Sequence, residues 1–212
     1  MQTTLAIIDA DILSGQDEIA REALLSKLQL YQDQETSIVP LWLNLLRERA
    51  DLRVVCLVRD LARLDDFLVD VIRATPGVRG TSARLAFNGI VRADIAHELP
   101  LQNSVWTRSA AATVLIKTEP GRDREVYRAL LALPRHREVN VVWVLKLFHS
   151  SEADIKLLLI GGRTAALTGY VMGWLRTVPG VVDTQLTSVL DWRILGRPED
   201  FVEMAECFPE KR

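Results

Sequence analysis

A repeated turn constrains the fold of this chain more than any other feature of its sequence. Residues 72–87 and residues 175–190 both have the pattern of a helix end, a Pro-Gly turn and a strand. Five residues recur with a spacing of 103 positions, the pairs being Arg73/Arg176, Pro76/Pro179, Gly77/Gly180, Val78/Val181 and Thr81/Thr184. Because proline and glycine end helices and form turns, the sequence predicts a duplicated helix–turn–strand unit.

The helix before each turn repeats its apolar face at the same spacing. In the first copy the apolar residues stand at i, i+3, i+4, i+7 and i+8, which places them on one side of a helix. Each has an apolar counterpart 103 residues later, the pairs being Leu64/Leu167, Phe67/Tyr170, Leu68/Val171, Val71/Trp174 and Ile72/Leu175. Trp174 is therefore predicted to face its sheet, and the chain is predicted to consist of two copies of one module.

The predicted elements of each half follow the order β-α-β-β-α-β, which is a split β-α-β unit of the ferredoxin-like type. A four-stranded antiparallel sheet with helices on one face must cover its other apolar face. We therefore predict an α+β fold of the dimeric α/β-barrel type, with two ferredoxin-like modules in tandem and their sheets face to face as an intrachain pseudo-dimer. The predicted boundaries are 1–92 for the first module, 93–110 for a connector, 111–195 for the second module and 196–212 for a C-terminal tail.

Charge and cysteine usage exclude several classes of protein. The net charge of −2 and the sequence pI near 6.0 give no electrostatic basis for direct nucleic-acid binding. The sequence contains no run of about 20 apolar residues, so it predicts no membrane-spanning helix. The two cysteines, Cys56 and Cys207, indicate neither a disulfide framework nor a zinc site. The strand-like N-terminus has no basic start typical of a signal peptide, so a cytoplasmic location is expected.

Three motifs of the second half are typical of one known family. They are Val-Leu-Ile-Lys-Thr-Glu-Pro-Gly at 114–121, Ala-Asp followed by an apolar strand at 153–160, and Leu-Arg-Thr-Val-Pro-Gly-Val-Val-Asp-Thr at 175–184. With these motifs the second half resembles the ligand-binding module of the Lrp/AsnC-type regulators, and the first half resembles it more distantly. In that family the module follows a helix-turn-helix domain. Here strands are predicted from about Leu5 onward, so DNA binding by the chain alone is not expected.

The resemblance also implies where a ligand would bind. Small effectors, often amino acids, bind between such modules near the turn that joins the second and third strands. The candidate ligand-binding residues are Asp154, Ser150, Ser151, Gly161, Gly162, Thr184, Thr187, Asp51 and Thr81. Each has a structural alternative, because Asp and Gly are common in tight turns and Thr in half-exposed strands. No catalytic residue, metal ligand or cofactor is predicted.

Three functions follow from these observations. The first is a non-enzymatic small-metabolite-binding or regulatory assembly module, forming a homo-oligomer or co-assembling with a DNA-binding regulator. The second is a structural oligomerisation protein without a ligand. The third is a haem-binding or monooxygenase-like α/β-barrel enzyme that would use His149, which follows an apolar strand at 139–148. The five tryptophans are interpreted as packing residues rather than as a cofactor site.

Overall fold

The computed structural model describes residues 3–46, 52–92, 110–133, 136–147 and 153–208. The first half contains β1 (Thr4–Ile12), α1 (Asp17–Gln34), β2 (Ile38–Leu46), β3 (Leu52–Val58), α2 and β4 (Val78–Val91). The helix α2 is composite, with a 3₁₀ turn at Leu61–Arg63, an α-helical turn at Leu64–Asp66 and π-helical turns at Phe67–Arg73.

The second half repeats this order. It contains β5 (Ala110–Thr118), α3 (Asp123–Leu131), β6 (Val139–Leu147), β7 (Ile155–Gly161), α4 and β8 (Val181–Ile194). The helix α4 joins an α-helical part at Thr164–Tyr170 to π-helical turns at Val171–Leu175. A fifth helix, α5 (Pro198–Cys207), follows the last strand. No helix within these described ranges is long and apolar enough to cross a membrane.

The eight strands form one closed antiparallel barrel in the order β1-β3-β2-β8-β5-β7-β6-β4. Four neighbouring strands come from each half, so each half keeps its ferredoxin-like sheet. The two sheets also join at their edges, where β2 pairs with β8 and β4 pairs with β6. This architecture confirms the predicted α+β fold of the dimeric α/β-barrel type. Closure of the barrel leaves none of the eight described strands as an unpaired edge, because each of them has two neighbours.

Alternation along the strands separates a barrel interior from two helix-covered outer layers. In β1, for example, Leu5 and Ile7 face the interior, whereas Ala6 and Ile8 face the helices of their own half. All seven residues of β3 are buried, because this strand is covered on both faces. The same holds for β7. The barrel interior is therefore a third core, to which both halves contribute.

The helix α5 covers one end of the barrel. The ring of Phe201 stacks on Trp42 with centroids 5.8 Å apart. The amide of Val91 at the end of β4 donates to the carbonyl of Phe208 at 3.0 Å. Arg59, just after β3, pairs with Glu203 of α5. These contacts place α5 at the end where β1 begins and β3 ends, so the opposite end is the one where β1 ends and β3 begins.

The prediction that Trp174 faces its sheet is wrong. Its side chain is 40% exposed, whereas Val71 at the equivalent position of α2 is 8% exposed. Both residues lie in the π-helical parts of their helices, so the helix type does not explain the difference, and the two positions differ in the size of the side chain. The indole extends outward and meets the His136 ring edge-on, with centroids 6.1 Å apart.

Candidate functional site

Four charged side chains lie together inside the barrel, and we name them the interior ion cluster: Asp9, Arg53, Arg84 and Lys156. Arg53 binds Asp9 with two bonds, from Nε to Oδ1 at 2.5 Å and from Nη2 to Oδ2 at 3.1 Å. Arg84 donates from Nη1 to Oδ2 of the same carboxylate at 2.5 Å. Such charge-assisted bonds fix the two guanidinium groups around one carboxylate.

Strand register explains why these side chains meet. Asp9 stands two residues after Ile7 on β1 and therefore points to the same interior face. Its direct partner on β3 is Arg53, and the β4 partner of Ile7 is Arg84. The cluster thus comes from three adjacent strands of the first half. It lies toward the end of β1, away from the end that α5 covers.

The second half completes the cluster from the opposite wall. Arg53 donates from Nη1 to the hydroxyl of Thr113 on β5 at 2.7 Å, across the interior. Lys156 on β7 is fully buried, and it occupies the position equivalent to Arg53 in the repeat, 103 residues later. Side-chain exposures of 15% for Asp9 and 11% for Arg84 show that the cluster still reaches solvent. It is therefore a charged site at one mouth of the barrel.

The charge state of Asp9 follows from its neighbours. Burial alone would raise the pKa of this carboxyl, but the Lys156, Arg53 and Arg84 cations lower the pKa well below its usual range. Asp9 is therefore ionised at any ordinary pH and is a poor proton acceptor. Its role is to hold the two arginines in place, and the cationic groups are the ones suited to bind an anion.

Three indole rings line the interior beside the cluster. Trp42 stacks on Trp143 with centroids 5.0 Å apart and an interplanar angle of 19°. The ring of Trp192 lies 5.4 Å from Trp42 at a tilt of 32°. Asn44, two residues after Trp42 on β2, is 1% exposed. The walls of the site are thus flat and aromatic, with one buried amide among them.

The residues predicted from the family resemblance are not gathered in one place. Asp154 lies before β7, where its carboxylate accepts from the amide and hydroxyl of Thr118 at 2.8 and 3.0 Å. Thr81 and Thr184 lie on the helix side of their strands, where each accepts a bond at 2.7 Å from an arginine eight residues before it. Thr187 is directly opposite Thr113 and so faces the barrel interior.

The remaining predicted residues divide into two groups. Gly161 is packed so closely that a Cβ would come within 2.8 Å of the carbonyl oxygen of Glu138, whereas Gly162 is exposed with open space around it. Asp51, Ser150 and Ser151 lie outside the described residues. The ligand-binding role remains a prediction for all nine candidate residues.

Sequence reasoning missed the interior ion cluster. The signal was present as single charged residues inside apolar strands, such as Asp9 in Ala-Ile-Ile-Asp-Ala and Lys156 in Ile-Lys-Leu-Leu-Leu. Charged residues are almost never fully buried unless they are paired, so a charged residue within a strand buried on both faces predicts a partner. The partner could not be named, because it lies on another strand.

The described part of the chain places no histidine inside the barrel. His136 lies on the outer surface of the second half, where its ring meets Tyr170 and Trp174 edge-on and its Nδ1 accepts from the amide of Glu138 at 3.2 Å. The other two histidines, His97 and His149, lie outside the described residues. Within the described part of the chain, no group of three or more His, Cys, Asp or Glu residues could hold a metal ion. An axial histidine for haem is therefore not found among the described side chains.

Comparison with solved structures gives the fold class of this chain. It is similar to a candidate monooxygenase from Fusobacterium nucleatum, with a TM-score of 0.59, 11% identity, and coverage of 92% of this chain and 95% of that one. It is also similar to a candidate monooxygenase from Lactobacillus acidophilus, with a TM-score of 0.53, 7% identity, and coverage of 92% of this chain and 98% of that one. A third similar structure is a single-residue mutant of chlorite dismutase from Candidatus Nitrospira defluvii, with a TM-score of 0.57, 16% identity, and coverage of 96% of this chain and 94% of that one. Neither a family model nor a curated protein sequence matches the chain.

These similarities overturn two expectations from the sequence. The assignment to the Lrp/AsnC-type regulators is wrong, because the similar structures are chlorite dismutases and candidate monooxygenases. The expectation of a non-enzymatic regulatory module is wrong for the same reason, and a role in transcription regulation has no support. At identities between 7% and 18% the similarity itself establishes the fold only.

Proposed function

We propose that this chain is an oxidoreductase-type α/β-barrel enzyme, monooxygenase-like in its class, that binds a small organic anion inside the barrel. The observation that carries the proposal is the pairing of Arg53 and Arg84 with Asp9 at a barrel mouth that reaches solvent. The fold, which this chain has in common with chlorite dismutase and with candidate monooxygenases, supports the class of chemistry.

The residues of the cluster have separate roles in this proposal. Arg53 and Arg84 bind the anionic group of the substrate, since planar guanidinium groups match carboxylates well. Asp9 is a positioning residue that holds both arginines and stays ionised. The indoles of Trp42 and Trp192 line the wall beside the bound anion and exclude water from it. In such a low-dielectric setting, fixed positive charges stabilise negative charge that develops on the substrate.

Binding measurements test the anion site directly. We expect benzoate or propionate to bind the wild-type chain in isothermal titration calorimetry, and Arg84→Met to weaken that binding about 10- to 100-fold, as expected for loss of a charged hydrogen bond. Arg84→Lys retains the charge and should restore part of the affinity. Arg163→Met is the matched control, because Arg163 is 72% exposed and lies outside the barrel.

Activity measurements test the class of reaction. A dissolved-oxygen electrode would record oxygen uptake with hydroxylated benzoates, and Arg53→Met should abolish that uptake. Titration with haemin separates this proposal from the haem alternative. A Soret band that appears with wild-type chain and disappears in His149→Ala would replace the proposal with a haem enzyme. Equal activity in the wild type and in Arg53→Met would contradict it.

Homo-oligomer formation remains a separate proposal. Large apolar side chains are exposed on the helical layers, among them Ile19 of α1, Val69 of α2 and Met172 of α4. Apolar area of this kind is typical of surfaces that are covered by another subunit. Light scattering that shows a monodisperse monomer would contradict assembly without affecting the proposed barrel site.

A further inference from the structure

The amide of Asn44 is a buried polar group that the fold itself does not satisfy. Asn44 is 1% exposed, and neither its oxygen nor its nitrogen has a hydrogen-bond partner within the described ranges. Buried side-chain polar groups are nearly always paired, because leaving one unpaired costs a free energy of about 1–3 kcal/mol. The amide therefore points to an occupant of the barrel interior that supplies its hydrogen bonds.

Two indoles next to Asn44 have the same property. The Nε1 atoms of Trp42 and Trp143 are buried and have no hydrogen-bond partner among the residues that the structure describes. Trp42 is two residues from Asn44 and faces the same interior, and Trp143 stacks on it at 5.0 Å. One part of the interior thus has a hydrogen-bond acceptor, the amide oxygen of Asn44, and several donors, the amide nitrogen of Asn44 and the two indole N–H groups.

The position of Asn44 links it to the interior ion cluster. Asn44 is directly opposite Arg53 on β3 and directly opposite Trp192 on β8. Directly opposed residues of an antiparallel pair have Cβ atoms about 5 Å apart. A group bound at the guanidinium of Arg53 would therefore lie close to the amide of Asn44.

The repeat shows that the barrel does not need a polar residue here. Trp42 and Trp143 are equivalent, because their β3 and β7 partners, Val55 and Leu158, differ by the repeat spacing of 103. Two residues further on, Asn44 in the first half corresponds to Leu145 in the second, which is fully buried in the same interior core. The same backbone position is thus filled by leucine where no ligand contact is required.

We propose that Asn44 determines ligand specificity in the barrel, selecting small organic anions that also have a hydroxyl group, which can both donate to and accept from the amide. The anion part of this inference rests on the proposed function, whereas the hydroxyl part rests on the buried amide and the indole N–H groups. A single buried water would need two to four polar partners to replace such a ligand. Water is therefore the competing occupant that the experiment must distinguish.

Two pairs of probes that differ by one hydroxyl test the proposal: 3-hydroxybenzoate with benzoate, and lactate with propionate. By calorimetry, we expect the hydroxylated member of at least one pair to bind wild-type chain about tenfold more tightly, as one additional hydrogen bond predicts. Asn44→Leu should abolish this ratio and leave the affinity for the plain carboxylate within about twofold. Arg84→Met should weaken both members by the same factor.

Stability measurements on the ligand-free chain provide an independent readout. Asn44→Leu should raise Tm, since an apolar residue of similar size removes an unsatisfied amide. Asn44→Ala serves the binding test if leucine overfills the site. Asn140→Leu, at an exposed asparagine of β6, is the control and should change neither Tm nor the ratio.

The outcomes separate the two proposals. An unchanged hydroxyl preference in Asn44→Leu, together with good binding of the plain carboxylates, would overturn the role of Asn44 and identify water as its partner. A lower Tm in Asn44→Leu would also overturn it, because the amide would then have partners in the free protein. Failure of wild-type chain to bind any of the four probes would contradict the anion site itself.

Discussion

The two halves of the barrel follow one backbone plan but line the interior with different side chains. At four positions that the register makes equivalent, the first half has charged or polar side chains and the second half has two leucines, a threonine and a lysine, the pairs being Asp9/Leu115, Arg84/Thr187, Asn44/Leu145 and Arg53/Lys156. Only the last pair is cationic in both halves. The stacked pair Trp42/Trp143 is identical in both.

This difference shows how a duplicated fold can hold an asymmetric site. The backbone and the outer helix–sheet cores are satisfied by apolar alternation alone, so they can be the same in both copies. The interior is common to both halves, and a polar cluster in one half needs few partners from the other. Thr113 and Lys156 are those partners. The site is therefore built by the first half and completed by the second.

Replacing Asp9 with leucine, the residue at the equivalent position of the second half, should break this asymmetry with the largest effect. Arg53 and Arg84 would lose the carboxylate that both bind, and an uncompensated buried charge costs about 3–5 kcal/mol. We expect Asp9→Leu to lower the free energy of unfolding by that amount in urea unfolding at pH 7. Asp11→Leu, at an exposed position of the same strand, should change it by less than about 0.5 kcal/mol.

The pH dependence of this loss shows whether charge or packing causes it. The pKa of Asp9 is lower in the folded chain than in the unfolded chain. Its stabilising contribution is therefore fully present above the unfolded value of about 3.9 and is lost as the pH falls toward the depressed folded value. The difference in the free energy of unfolding between wild type and Asp9→Leu should therefore decrease below about pH 4. A gap that stays constant with pH would assign the loss to packing.

The fold could be predicted from the sequence because its signals are local and repeated. Helical spacing, strand alternation and the Pro-Gly turns were sufficient to give the α+β barrel class. The same signals misled the family assignment. Arg73 donates to Thr81 and Arg176 donates to Thr184, each at 2.7 Å, and Gly77 and Gly180 have φ values of +83° and +92°. The motif thus connects a helix to a strand and does not identify a ligand.

The candidate site could not be predicted, because it depends on pairings between distant strands. Single charged residues in apolar strands indicate that partners exist, but the closure of the barrel decides which side chains meet. Arg53 and Thr113 are 60 residues apart in the chain, and their contact crosses from one half to the other. The spacing of residues along one strand or helix contains no information on such a contact. The family motifs predicted a ligand site near the turns and not inside the barrel.

The threonines of the second half allow a smaller test of how the halves are joined. Thr113 accepts a bond from Arg53, whereas Thr187, directly opposite on β8, makes no side-chain hydrogen bond to the described residues. Thr113→Val should therefore lower the free energy of unfolding by about 1.5–3 kcal/mol, as expected for a bond to a charged group. Thr187→Val is the matched control and should stay within about 0.5 kcal/mol. Equal effects of the two variants in urea unfolding would show that the cross-barrel bond does not stabilise the chain.

The smallest effect concerns the stacked tryptophans, which are identical in the two halves. Trp42 and Trp143 stack across the interior, and aromatic pairs are worth about 0.5–1.5 kcal/mol beyond their buried area. A double-mutant cycle with Trp42→Leu, Trp143→Leu and the double variant should give a coupling free energy of that size. The two single variants should lose different amounts of the free energy of unfolding, because Trp42 also contacts Trp192 and Phe201.

The sign of that difference makes the cycle informative about the asymmetry. If Trp42→Leu costs more than Trp143→Leu, the tryptophan of the first half anchors both the aromatic wall and the helix α5 at the covered end. Equal single losses with a coupling near zero would mean that the two indoles pack independently against their own sheets. The stack would then be a consequence of duplication and would not join the two halves around the interior.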